Sequence, residues 1–130
     1  MNDITNKEDI KNFVDAFYNE VRIDQLIGPV FASVIPDENW TPHLERMYSF
    51  WNTVLFGARE YQGNPFAKHR PLPIEKRHYD RWLELLNNTL DQHFSGAKVE
   101  EIKTRAEKMG LLFQSKLDYL RNDDHFKSII

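Results

Sequence analysis

Residues 40–73 read WTPHLERMYSFWNTVLFGAREYQGNPFAKHRPLP, and the rest of the chain is organised around them. His43, Met47, Phe50, Trp51 and Val54 recur at offsets of four, seven, eight and eleven, which places them on one side of a helix. Pro42 is tolerated in its first turn, where N–H groups have no partner inside the helix. Gly57 is the expected left-handed cap at its end. Beyond a glycine-punctuated connection comes a second imidazole, His69, between Lys68 and Arg70. One imidazole leading a wide apolar face, with another beyond a loop, outlines a pocket that has a histidine on each side.

The flanking segments repeat the helical pattern. Thr5-Asn6-Lys7-Glu8 has the form of a capping box, and Ile10, Phe13, Val14, Phe17 and Val21 follow at helical spacing. Tyr18 lies beside that stripe. Gly28-Pro29 interrupts it, and the segment after it is too short for more than a turn or two of helix. Between residues 59 and 73 the sequence is irregular, with at most one or two helical turns around Phe66–Arg70. Periodicity resumes from Glu75 to Phe94, with Tyr79, Trp82, Leu83, Leu86 and Leu90 directed inward. It then runs from about Val99 to Leu120, with Ile102, Ala106, Met109, Phe113, Leu117 and Leu120 on one face. Residues 122–130 form a charged tail expected to fray. No β alternation, internal repeat or low-complexity tract is present. An all-α domain of four substantial helices plus short pieces follows.

Composition narrows the chemistry. At 130 residues one domain is expected, able to bury roughly two thirds of its unfolded surface. Nine Phe, five Tyr and three Trp make 13% aromatics, enough to fill a core or to line a cavity for a flat ligand. Seventeen basic against twenty acidic residues leave a net charge of -3, which argues against nucleic acid as principal partner. With no cysteine, disulfides, thiolate metal sites and covalent haem attachment are excluded. The polar, acidic start MNDITNKEDI does not have the look expected of a signal peptide, and no segment approaches the roughly twenty apolar residues of a membrane span. No membrane association is expected, and a cytoplasmic location is the default expectation.

Most enzyme signatures are missing. There is no H-E-x-x-H, Gly-rich phosphate loop, G-x-S-x-G or EF-hand loop, and the inward faces carry aromatics in place of the glutamates of a di-iron bundle. His78, His93 and His125 read as surface or helix-end residues. His69 reads either as an exposed loop imidazole or as an imidazole held by Phe66 before it and Pro71-Leu72-Pro73 after it. A neutral imidazole so held is an ordinary iron ligand, and one such bond leaves the opposite iron face open.

An ordered set of short pieces resembles the truncated (two-over-two) haemoglobins, and most closely their group III. The pieces are Phe17-Tyr18 with Val21-Arg22, Gly28-Pro29-Val30-Phe31, Trp40-Thr41-Pro42-His43, Phe50-Trp51, Tyr61-Gln62-Gly63-Asn64-Pro65, Lys68-His69 and Arg81-Trp82-Leu83. They spread from about Ile10 to Phe113 in family order, and the paired-glycine corners of the other truncated globins are absent. The resemblance implies a two-over-two α-helical sandwich in a single truncated-globin domain spanning residues 1–130, its core about 7–120. It implies a non-covalently bound haem b with His69 as the iron ligand. Tyr18, His43 and Trp82 correspond to the polar distal residues, and Arg46 to a basic position that contacts a haem propionate. Met47, Phe50, Trp51 and Val54 would line the ring, with Phe31, Phe66, Tyr79, Leu86 and Phe113 as further contacts. Pro42 and Arg70-Pro71 depart from the family pattern at the pocket mouth.

The resemblance and the donors agree. A phenol, an imidazole and an indole N–H can all donate to a dioxygen ligand that carries partial negative charge. Such a grip suits redox chemistry with dioxygen, nitric oxide or peroxide better than oxygen transport. Nitric oxide dioxygenase-like or peroxidase-like activity would follow, with carbon monoxide as a further diatomic ligand and an electron donor not encoded here. His43 could instead enter as a sixth ligand, or gate access by swinging out. A monomer is expected. The alternative is a haem-free sensor or interaction module on a globin-like scaffold, with Phe50, Trp51 and Phe66 packed on one another.

Overall fold

The computed structural model describes residues 1–58 and 75–122, with side chains up to residue 112. Within them run five α-helices: α1 (Lys7–Ile23), α2 (Gly28–Ala32), α3 (Trp40–Phe56), α4 (Lys76–His93) and α5 (Ala97–Asn122). A 3₁₀ turn at Asp37–Asn39 leads into α3. No strand occurs among the described residues. Helix α1 packs on both α3 and α4, and α4 packs on α5, so α1 with α3 forms one layer and α4 with α5 the other. That is the expected two-over-two arrangement.

The core is the sum of the apolar stripes. Ile10, Phe13, Val14, Phe17 and Val21 of α1 meet Trp51 and Leu55 of α3, Leu85, Leu86 and Leu90 of α4, and Val99, Ile102 and Ala106 of α5. Phe13 is fully buried and sits between Phe17 and Trp51, each 6.2 Å away between ring centroids. Burying such a side chain contributes about 2–3 kcal/mol.

Helix ends show where local chemistry operates. Gly57 caps α3 at φ 70°, as its position in the sequence predicts. The cap of α1 differs by one residue from expectation. Asn6 is the N-cap and accepts from Asp9 N–H at 2.9 Å, while Asp9 in turn accepts from the backbone N–H and hydroxyl of Thr5 at 2.9 and 3.1 Å. Asn6 thus takes the capping role expected of Thr5, and the Asp9 carboxylate ties down Thr5 just ahead of the cap. His78 also departs from expectation: it lies at a helix end but is buried, and its Nδ1 accepts the Glu75 N–H at 2.8 Å. His93 is the exposed last residue of α4, and His125 lies outside the described residues.

The N-terminal segment closes the bottom of the core. Ile4 is fully buried, and the Asp3 carboxylate accepts the N–H groups of Lys98 at 3.0 Å and Val99 at 3.2 Å. A residue ninety-five positions away thereby satisfies donors in the first turn of α5. At the same end, Lys98 Nζ donates to the Leu55 carbonyl at 3.0 Å, joining α5 to the end of α3.

Candidate functional site

Three helices bring their aromatic and polar side chains to one place. The Tyr18 ring of α1 meets the His43 ring of α3 edge to face, with centroids 5.1 Å apart and planes at 89°. Tyr18 also touches Phe17 at 4.9 Å, and Phe17 touches Trp82 of α4 at 5.8 Å. The candidate distal residues Tyr18, His43 and Trp82 are thus joined through Phe17 into one aromatic cluster. Phe31 of α2 closes one flank, 6.3 Å from Tyr18.

Burial sets the electrostatics. Tyr18 is buried, and that burial pushes its phenol above the ordinary value of 10.0. A phenol held above that value keeps its proton at neutral pH and remains able to donate. His43 is half-buried, with Nε2 shielded from solvent.

Around this cluster lies apolar surface that the protein covers only in part. Met47, Phe50 and Val54 share the His43 face of α3 and are half-buried, and so are Trp82 and Leu83 of α4. Neighbours on the inward faces behave differently: Trp51, Leu55, Leu85 and Leu86 are buried in the core. A strip of apolar side chains packed on the core yet left partly open, beside a buried phenol and imidazole, fits a flat apolar group that carries a metal. Arg46 is exposed one turn along from His43.

The other sequence-predicted residues divide as follows. Phe31 and Tyr79 are buried, at 7% and 8% exposure, and Phe31 is part of the cluster. Trp51 stands against Phe50 at 5.1 Å and faces Phe13, and Leu86 is fully buried among the helices. Phe66 and His69 lie outside the described residues, as does the side chain of Phe113. Among the described residues no group of three or more His, Cys, Asp or Glu could hold a metal ion.

Sequence reasoning missed Trp40. The helix starts at Trp40, so residues 40 and 43 share its first turn, and the two rings lie 5.5 Å apart at 88°. The i, i+3 relation in WTPH was the available signal. It also missed a polar groove between α1 and α3, lined by Lys11, Asp15, Asn19, Thr41, Leu44, Glu45 and Tyr48. There the Tyr48 hydroxyl donates to Asp15. Positions 41, 44, 45 and 48 form a different face of α3 from 43, 47, 50 and 54, so this groove is separate from the cluster.

An all-α two-layer fold that gathers a phenol, an imidazole and an indole beside a half-open apolar strip is a scaffold of the globin kind. Comparison with known proteins agrees: a family model described as bacterial-like globin matches residues 2–112, and the chain belongs to that family. It is 32% identical over 115 residues to a group 3 truncated hemoglobin of Campylobacter jejuni, covering 86% of this chain and 91% of that relative. A group 2 truncated hemoglobin of Bacillus subtilis is 29% identical over 65% of this chain and 64% of its own length. The crystal structure of group III truncated hemoglobin from Campylobacter jejuni superposes with a TM-score of 0.82 at 31% identity, over 90% of this chain and 95% of the other. Globins of this family bind haem b non-covalently and take diatomic gases such as dioxygen. No helix among the described residues is long and apolar enough to cross a membrane.

Proposed function

We propose that this globin uses Tyr18, His43 and Trp82 to grip and polarise dioxygen, in the service of redox chemistry on dioxygen, nitric oxide or peroxide, and not of bulk oxygen transport. The observation that carries this reading is Tyr18: a buried phenol that keeps its proton, edge to face with His43. His69 is the proposed iron ligand and Arg46 the propionate partner. Met47, Phe50, Val54, Phe31 and Tyr79 are the proposed walls around the ring, with Trp51, Phe66, Leu86 and Phe113 as further contacts. Haem, when bound, would supply affinity for a diatomic ligand and the means to exchange electrons with it.

The chain's own residues then act on that ligand. The Tyr18 hydroxyl donates to its negative end, with the His43 imidazole and the Trp82 indole as further donors. Each bond contributes about 1 kcal/mol net, more where the acceptor carries charge. Two such bonds slow ligand release roughly tenfold to a hundredfold. The surrounding apolar side chains exclude competing water and strengthen each bond. Release that slow defeats a carrier and suits a reactant that must stay until electrons arrive. Those electrons come from a separate donor, and the protein is proposed to work as a monomer in the cytoplasm.

Dioxygen dissociation from the haem-loaded protein tests the proposal. Tyr18→Phe and Trp82→Phe should each raise the rate by about tenfold, one hydrogen bond's worth where the acceptor is charged. Unchanged rates in both would remove the hydrogen-bond reading.

A further inference from the structure

Trp40 is buried to 4% exposure although it is the first residue of its helix. That helix has no side-chain cap at Asn39, and Pro42 removes a donor from its first turn. The Trp40 N–H bonds back to the Asp37 carbonyl of the preceding turn, and the burial of the Trp40 side chain adds a second contact that fixes how this turn is directed. Its ring lies 5.9 Å from Tyr18 and 6.5 Å from Phe31, wedged between α1 and α2.

His43 is held between two perpendicular rings, Tyr18 at 5.1 Å and Trp40 at 5.5 Å. To swing outward the imidazole must leave both. Over the Trp40 ring lies the Arg22 guanidinium, 4.6 Å from its centroid. Arg22 also reaches Asp37 at 3.4 Å, in the turn that precedes α3. The Asp37 side chain is 96% exposed, so this ion pair is weak and easily parted. Arg22 thus spans from the last turn of α1 to the entry of α3 and covers Trp40 through a contact that can open.

We infer that Trp40 is a positioning residue that latches His43 inward against Tyr18, and that Arg22 holds the latch shut. The inference rests on the distal role proposed above for His43. Trp40 sets the fraction of molecules in which the imidazole faces the ligand and bars the way in, and loosening it opens the slot.

The test uses haem-loaded ferrous protein with carbon monoxide as probe. Association is followed after flash photolysis, and the infrared stretch of the bound probe reports whether a polar ring faces it. Trp40→Leu should speed association roughly threefold to tenfold, the factor that one lost ring contact implies. It should also move the infrared band toward that of His43→Leu, and Trp40→Phe should restore most of both properties. In a His43→Leu background, Trp40→Leu should add nothing. An undiminished Trp40 effect in that background, or an unmoved band, overturns the latch and leaves the distal role of His43 intact. A His43→Leu protein that matches wild type in band and oxygen dissociation overturns that distal role first, and the latch with it. Should Trp40→Leu fail to fold, the surface change Arg22→Gln carries the test: a smaller acceleration in the same direction supports the latch, and none overturns it.

Discussion

One carboxylate oxygen of Asp24 accepts a hydrogen bond from Arg81 Nε at 2.8 Å, with Nη2 of the same guanidinium 2.7 Å away in an ion pair. The other oxygen accepts the backbone N–H groups of Leu26 and Ile27, each at 3.0 Å. A single side chain, 5% exposed, therefore ends α1, shapes the corner before α2 and anchors α4 one residue before Trp82. The tie joins the end of the helix that carries Tyr18 to the helix that carries Trp82.

Removing it should be measurable as lost stability. Asp24→Ala forfeits both corner acceptors and should cost about 1–2 kcal/mol, while Asp24→Asn keeps a carbonyl oxygen for the N–H groups and should cost less. Thermal unfolding at neutral pH ranks the three proteins, and equal midpoints would show the corner to be held by packing alone.

The same carboxylate makes stability depend on acid. Burial opposes its ionisation, but Arg81 and the N–H groups of Ile27 and Leu26 outweigh burial and hold it below 3.8. Asp3 is held below 3.8 in the same way, its burial outweighed by Lys98, Ile4 and Val99. A depressed carboxyl stabilises the fold at pH above its unfolded value and ceases to do so as pH falls through its folded value. Denaturant midpoints should thus fall steeply below about pH 4, and the deficit of Asp24→Ala should shrink there.

At the alkaline end the sign reverses. Tyr18 is held above 10.0 by burial, and Tyr48 by burial together with its bond to Asp15 and the nearby carboxylates of Asp15 and Glu45. These phenols contribute stability that is complete below pH 10.0 and lost as pH rises through their higher folded values. Tyr18→Phe should flatten the loss of stability above that point. In the wild-type protein the ultraviolet phenolate band should stay incomplete until the chain unfolds.

Gly96 sits at φ 146°, and a Cβ placed there would come within 2.4 Å of Asp3 Cγ. Gly96→Ala should cost about 1–3 kcal/mol through strain, and it should release the N-terminal segment from α5. Limited proteolysis ahead of Ile4 would report that release, and wild-type resistance would count against it.

His69→Ala should lose haem. Haem added to the wild-type chain should raise its melting temperature by mass action, and the variant should gain little and show a weak, shifted Soret band. Native haem affinity in the variant would require another ligand.

Much of this was legible in the chain itself. The stripe of Ile10, Phe13, Val14, Phe17 and Val21 is a pattern of residues three and four apart, and such a pattern specifies a helix wherever one face can be buried. Gly57 marks the end of α3 for an equally local reason, since only a left-handed residue closes that turn without strain. The cap of α1 was harder: Thr5 and Asn6 are both good cap residues, and it is Asn6 that caps, with the Asp9 carboxylate holding Thr5 just ahead of it.

What determines the site is not local. Helical periodicity places His43, Met47, Phe50 and Val54 on one face, and nothing in that pattern says which face of α1 or α4 comes near it. Tyr18 meets His43, and Trp82 joins them through Phe17, because α1 packs against α3 and α4 together. Asp24 with Arg81 and Asp3 with Lys98 are contacts across 57 and 95 residues. The chain by itself determined its helices, its turns and the kinds of donor available for the pocket. Only the crossing of those helices decided which donors share a site, because ring contacts and ion pairs between distant segments depend on how the layers settle over a common core.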